Sequence, residues 1–427
     1  MIKKVILVGP VLSNSGYGEH ARTVLRSLIN NLNKFNIYIN PTGWGQTSND
    51  HSDTPENKFI KDCIQRTELY KGEYDFSIQL GLPNEWKKLA PINIGITAAV
   101  ETDRCNPKWL EHCNQMDRII TISEHSYQSL SKHKYSLADQ QGNPAGVLQL
   151  TTPVSIIGYP VKEPGPSDFA KELDILDTCF LSVCQLAPRK NVFSMIKSFV
   201  EEFRNEQVGL LLKINMITDS KTDRINTVKS IQQMLSNIDP QNTRKCKIHV
   251  LHGRLSESDI NSLYNDPRVK AYITTTHGEG YGLPIFEAAY SGLPVIAPNW
   301  SGHLDFLRAP VTNEKSGKTK TKSLFLKTRC EVKEVNKEAL MPGIIMEGSR
   351  WAYTDEKHFK KNLRSLLNSD ALYKKEAKIL QDHLKREYTL SAINEKFYSV
   401  FSELLPDLAP GAGLDEDDFA LFKTENL

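Results

Sequence analysis

The sequence predicts an α/β protein built as two doubly wound domains, and three observations carry that prediction. First, the apolar run Lys3 to Val8 leads through Gly9-Pro10 and Ser15-Gly16-Tyr17-Gly18 into a helical pattern from about Glu19 to Asn30. Second, the same order of strand, loop and helix restarts at Cys179 to Cys184, with helix-spaced apolar positions at Phe193, Ile196, Phe199, Val200 and Phe203. Third, Ile156 to Pro166 between them holds two glycines and three prolines, the composition of an interdomain linker. The expected boundaries are 1–160 for a first domain, 161–389 for a second, 390–409 for a terminal helix and 410–427 for a tail.

The totals agree with this division. A length of 427 residues suggests two or three domains, and 39% hydrophobic residues suffice for ordinary cores. A net charge of +2 leaves any basic surface local. No apolar run approaches the roughly 18 residues that span a bilayer. Lys3-Lys4 before Val5 to Val8 imitates the start of a signal peptide, but the run breaks at Gly9-Pro10 and reads as a first strand. Seven cysteines, an odd number without paired spacing, imply reduced thiols and a cytoplasmic protein. No His/Cys cluster has the spacing of a metal site.

In the first half, Phe35 to Ile39 reads as the second strand, followed by a loop of low periodicity from Pro41 to about Glu56. That loop contains Gly43-Trp44-Gly45-Gln46, an indole able to stack on a sugar or base, or to pack as an ordinary loop residue. Tyr74 to Gln79 and Ile92 to Ala99 are further strands. The latter ends at Val100-Glu101-Thr102-Asp103-Arg104, where Asp103 and Arg104 also fit a local ion pair. Periodicity is lost between Tyr135 and Pro153.

In the second half, strands Val208 to Ile214 and Ile248 to Leu251 precede the most informative stretch of the chain. Val269 to Thr276 reads as a buried strand, and Gly278, Gly280 and Gly282 let the following backbone turn sharply and approach a ligand. Pro284 suits the first turn of a helix, and Gly292 with Pro294 closes it. Such a loop aims backbone N–H groups and a positive helix end outward, which favours an anion. Glu279 in the turn and Glu287 in the helix stand in an E-x7-E spacing. Unpaired carboxylates there need donors, and ribose or sugar hydroxyls would serve. A glycine-rich turn with two solvent-facing glutamates is the alternative.

This element, with its flanking glycines, resembles the retaining glycosyltransferases of the GT-B fold, family GT4. The likeness is strong from about 179 to 305 and looser from 1 to 160. It implies two Rossmann-like domains with a nucleotide diphosphate sugar, UDP-linked by preference, as donor. Glu287 would hold the ribose and Glu279 the transferred sugar, with Gly280, Tyr281, Gly282 and Leu283 lining the donor. Lys190 matches a family lysine that meets the diphosphate. Gln185 stands where the family has arginine, and Arg189 is placed to restore that charge. Gly16 and Gly18 would face the donor phosphates, or form a purely structural turn. The family's sugar-contacting His is absent from the strand end, where Glu101 stands in its neighbourhood, and Glu101 and Asp103 are the catalytic candidates there.

No metal and no cofactor are implied, and the helix from Leu390 to Leu405 would pack back on the first domain. Gly16-Tyr17-Gly18-Glu19-His20-Ala21-Arg22 and Val100-Glu101-Thr102-Asp103-Arg104 resemble glycosyltransferases of tailed bacteriophages. That permits hydroxymethylated cytosine in DNA as acceptor, besides glycans and lipid-linked sugars. A catalytically silent nucleotide-sugar-binding module is a competing reading. An NAD-dependent oxidoreductase is disfavoured by the missing G-x-G-x-x-G.

Two charged segments remain. Lys315 to Lys333 holds seven basic residues and one acid, with Lys318, Lys320 and Lys322 at alternate positions. An extended chain would put those three on one side, as an electropositive lip for an anionic acceptor or as a solvated surface loop. Asp415-Glu416-Asp417-Asp418, after Pro410-Gly411-Ala412-Gly413, reads as a disordered acidic tail rather than a metal-binding D-x-D.

Overall fold

The structure is a computed structural model that describes residues 2–139, 141, 143–312 and 316–405. The chain divides into two compact units. Met1–Pro160, Met341–Met346 and Tyr388–Leu427 form the first, and Val161–Leu340 with Glu347–Glu387 the second. The expected acidic tail, 410–427, lies outside the described residues.

The first unit is built on strands β1 (Lys3–Gly9), β2 (Phe35–Pro41), β3 (Phe76–Leu80), β4 (Ile92–Thr97) and β5 (Arg118–Thr121), then an antiparallel pair, β6 (Tyr135–Ala138) and β7 (Pro144–Leu148), and finally β8 (Val154–Ile156). Six of them form a parallel sheet in the order β2-β1-β3-β4-β5-β8. Parallel pairing demands crossovers, supplied in part by α1 (Gly16–Ile29), α2 (Pro55–Leu69), α3 (Pro107–Cys113) and α4 (Glu124–Ser131). Strand order reverses at β1 and β3, so the crevice for a ligand lies beyond their carboxyl ends.

The helix Leu390–Leu404 joins this unit's core, where Phe397 and Phe401 are fully buried with Val24, Leu28, Phe35 and Phe76. The ring of Phe401 meets that of Phe35 edge-on at 6.0 Å. Ser27 Oγ donates to Asn394 Oδ1 at 2.7 Å, which satisfies two buried polar groups across the same packing.

Two stretches hold elements the sequence reading did not anticipate. The loop after β2 gives way to α2 at Pro55, with Thr54 accepting the Asn57 N–H and Pro55 at the first helical position. Only Asn57, Ile60 and Cys63 of α2 are buried, a stripe too narrow to dominate the sequence pattern. The non-periodic segment after Lys134 contains β6 and β7, whose side chains are mostly exposed and therefore do not alternate.

The second unit repeats the plan with β9 (Cys179–Gln185), β10 (Gly209–Asn215), β11 (Lys247–Leu251), β12 (Val269–Ile273) and β13 (Val295–Pro298). It continues through β14 (Arg308–Thr312), β15 (Thr319–Ser323), β16 (Leu326–Thr328), β17 (Cys330–Glu334) and β18 (Arg350–Thr354). Its helices are α5 (Val192–Phe203), α6 (Lys221–Ile238), α7 (Glu257–Asn265), α8 (Leu283–Tyr290), α9 (Glu356–Asn368) and α10 (Asp370–Glu387). The parallel sheet runs β11-β10-β9-β12-β13-β16, while β14–β15 and β17–β18 are antiparallel hairpins. Here the order reverses at β9 and β12, so the loops after these two strands flank the crevice. All seven cysteines are free, and among the described residues no helix is long and apolar enough to cross a membrane.

Candidate functional site

The loops after β9 and β12 bring three charged residues together. After β9 the chain makes a short turn through Pro188–Lys190, and Asn191, at φ 51°, swings it into α5. His277 N–H donates to Arg189 O at 2.8 Å, and Asn191 Nδ2 and Thr275 Oγ1 tie the same two loops. This pairing carries Lys190 Nζ to 2.6 Å from Glu279 Oε1 and 2.8 Å from Oε2. Arg189 Nη1 lies 3.0 Å from Glu279 Oε2 and also donates to Gly278 O.

Glu279 is 7% exposed, which removes the alternative of two solvent-facing glutamates. Burial alone would raise its carboxyl pKa, but Lys190 and Arg189 outweigh burial and hold it down at about 2. The sequence had divided these residues between sugar and diphosphate; the structure brings them into one ion cluster.

The backbone of Glu279 is fixed from the loop after β13. Its N–H donates to Ser301 Oγ at 2.9 Å, and its carbonyl accepts from Gly302 N at 2.9 Å. A Cβ on Gly302 would stand 1.9 Å from Gly280 O, so only glycine allows this approach. His303, fully buried, donates from Nε2 to Pro298 O at 2.8 Å, and burial lowers its pKa. The neutral ring's Nδ1 then faces the Ser301 hydroxyl at 3.4 Å. Ser301-Gly302-His303 marked only a glycine in the sequence; the clamp it forms depends on a φ of 87° at Ser301, which no residue pattern announces.

Downstream, Gly282 caps α8 at φ 94°, followed by Leu283 and Pro284. The Tyr281 ring is buried against Phe286 and Phe306, leaving its backbone at the helix entrance. Glu287 is partly buried in α8 and accepts from Tyr264 Oη of α7 at 2.9 Å. Sequence spacing offered no signal for Tyr264.

The remaining candidates lie elsewhere. In the first unit, Ser15 caps α1 by accepting the Gly18 N–H at 3.1 Å. A Cβ on Gly18 would stand 1.9 Å from Ser13 O, so this glycine has a packing reason of its own. Gly16 begins the same helix. Between them Tyr17 accepts the Ala98 N–H at 3.0 Å and meets Thr97 Oγ1 at 3.1 Å, gathering the loop after β4. Trp44 stacks on Tyr17 with ring centres 3.7 Å apart. Glu101 and Asp103 follow in that loop, both partly buried, and Asp103 lies 3.5 Å from Arg104 as a local ion pair. Lys318, Lys320 and Lys322 are exposed in the second unit, on or beside β15. Among the described residues no group of three or more His, Cys, Asp or Glu is placed to hold a metal ion.

Comparison with solved structures identifies the architecture. Sucrose-phosphate synthase from Thermosynechococcus elongatus superposes with a TM-score of 0.61 at 12% identity, covering 95% of this chain and 99% of that one. HepE (Alr3699) from Anabaena, solved with UDP and glucose, gives a TM-score of 0.55 at 13% identity, covering 95% and 100%. The fold is that of the GT-B glycosyltransferases. Residues 230–397 match a family model described as family 4 glycosyltransferase in conflict systems. That stretch contains Glu279, Glu287 and the Ser301 clamp, but not Arg189, Lys190 or the first unit's candidates. The comparison with curated proteins returned no match.

Proposed function

We propose that this protein is a retaining glycosyltransferase that moves a sugar from a nucleotide diphosphate sugar to an acceptor hydroxyl. The observation that carries the reading is the buried Glu279, ionised by Lys190 and Arg189 at the mouth of the second sheet. A carboxylate in that state accepts hydrogen bonds from sugar hydroxyls, and its two cations are the groups that would meet a departing diphosphate. UDP is the favoured nucleotide, since HepE of the same fold was solved with UDP and glucose.

In the proposed reaction the acceptor oxygen bonds to the anomeric carbon on the face from which the phosphate leaves. The bond to the phosphate oxygen breaks, and that oxygen takes the acceptor proton. Lys190, Arg189 and the entrance of α8 stabilise the charge that develops on the leaving group. Glu287 holds the ribose with one oxygen while Tyr264 steadies the other. The proposed reaction draws on no metal or cofactor. Among acceptors, a hydroxymethylated base in DNA is the reading favoured over glycans and lipid-linked sugars, because of the basic hairpin treated below.

The test is a panel of nucleotide sugars scored for nucleoside diphosphate release, with product configuration read by NMR. Inversion at the anomeric carbon would exclude the retaining course, and failure of every nucleotide sugar to bind or react would overturn the function.

A further inference from the structure

We propose that the β14–β15 hairpin is a docking surface for duplex nucleic acid. Antiparallel pairing sets Lys320 opposite Val311 and Lys322 opposite Ala309. Alternate residues of a strand share a face, so Lys318, at the foot of β15, continues the row of Lys320 and Lys322 at intervals of about 6.8 Å. Every residue from Lys318 to Lys322 is exposed. The described residues 308–312 and 316–323 hold four cations, Arg308, Lys318, Lys320 and Lys322, and no carboxylate, whereas the whole chain carries a net charge of only +2. The ribbon is thus locally positive.

Lysines also guard exposed strand edges against pairing, but a guard needs few charges and no common face. The chemistry between the lysines separates the two main polyanions. Stable anchoring to a membrane takes apolar side chains that enter the lipid in addition to charge. This one has Thr319 and Thr321 between its lysines and Ser323 after the last, and its apolar residues are limited to Ala309, Pro310 and Val311. Hydroxyls and lysines are the usual donors to nucleic-acid phosphates, and the major groove admits a two-stranded ribbon. The inference deepens the transferase reading by naming the acceptor's class.

The experiment is fluorescence anisotropy of a labelled DNA duplex with the full chain, at several salt concentrations and without nucleotide sugar. Loss of duplex binding and loss of sugar transfer are therefore separate results. The expected result is binding that weakens linearly with salt on a log–log scale, at about 0.9 per phosphate contact. The triple variant Lys318→Ser, Lys320→Ser, Lys322→Ser should flatten the slope by up to about three units, with an unchanged unfolding midpoint. The triple Arg variant should keep the slope. Absence of binding at low salt, an unchanged slope in the Ser variant, or binding to phosphatidylserine vesicles but not to duplex would overturn the proposal.

Discussion

Ser301 accepts the backbone N–H of Glu279 at 2.9 Å while held in a left-handed conformation, φ 87°. A non-glycine residue in that region is strained, and the strain is maintained by contacts on both sides of it. Gly302 N–H holds the Glu279 carbonyl, and His303 is anchored to Pro298. Glu279 is thereby gripped by its own peptide groups as well as by its side chain.

Ser301→Ala leaves the buried Glu279 N–H without its acceptor and should cost about 1–3 kcal/mol of stability in urea unfolding. Gly302→Ala should do far worse, because its Cβ would collide with Gly280 O, a backbone atom that no rotamer can move. The expected outcome is little folded protein, read by circular dichroism. Equal, mild effects of both changes would show that the clamp is slack.

The pH dependence follows from Glu279. Its folded carboxyl pKa of about 2 lies below the ordinary 4.5, so its stabilising contribution is complete above pH 4.5 and is lost as pH falls through about 2. The shift corresponds to a difference on the order of 3 kcal/mol between the native chain and Glu279→Gln at neutral pH. That difference should shrink between pH 4.5 and 2, as measured by denaturant unfolding at a series of pH values. A gap constant across the window would mean that the carboxylate is not held ionised by its cations.

Donor binding should divide the two glutamates. Glu287→Ala should weaken nucleotide sugar and nucleoside diphosphate alike, by roughly 1.5–3 kcal/mol for a lost charged hydrogen bond. Glu279→Gln should depress turnover while largely sparing nucleoside diphosphate affinity. Calorimetric titration of both variants with UDP decides the matter, and equal losses would show that the two residues share one task.

In the proposed reaction Lys190, Arg189 and the α8 entrance would take the part of a cation, so activity should survive a chelator. Removing residues after Pro410 should leave turnover intact. Abolition by EDTA with recovery on adding manganese or magnesium would refute metal independence.

The fold was legible where residue type and position coincide with backbone need. Gly9-Pro10 after Val5 to Val8 and Gly282 before Pro284 mark real strand ends and a real helix entrance, because glycine and proline restrict the backbone directly. Glu279, Lys190 and Arg189 were each visible as candidates. Their union was not, since it depends on β9 and β12 becoming neighbours although some 90 residues separate their loops. α2 escaped notice because its buried stripe is short, and Tyr264 because a tyrosine at helical spacing reads as core. The sequence put Gly18 in the turn before the helix, whereas it lies in the first turn of α1, and its steric reason, the carbonyl of Ser13, appears only in three dimensions.

The order of synthesis gives the Leu390–Leu404 helix a further consequence. Both flanks of the second unit belong to the first, so the chain interrupts one unit to complete the other. While a ribosome is still making the residues before Tyr388, the aromatic faces of Phe35 and Phe76 have been produced but Phe397 and Phe401 have not. On a chain of intermediate length, Phe35 and Phe76 therefore lack the cover that Phe397 and Phe401 give them in the finished protein. The earliest sheet to emerge is the last to be sealed.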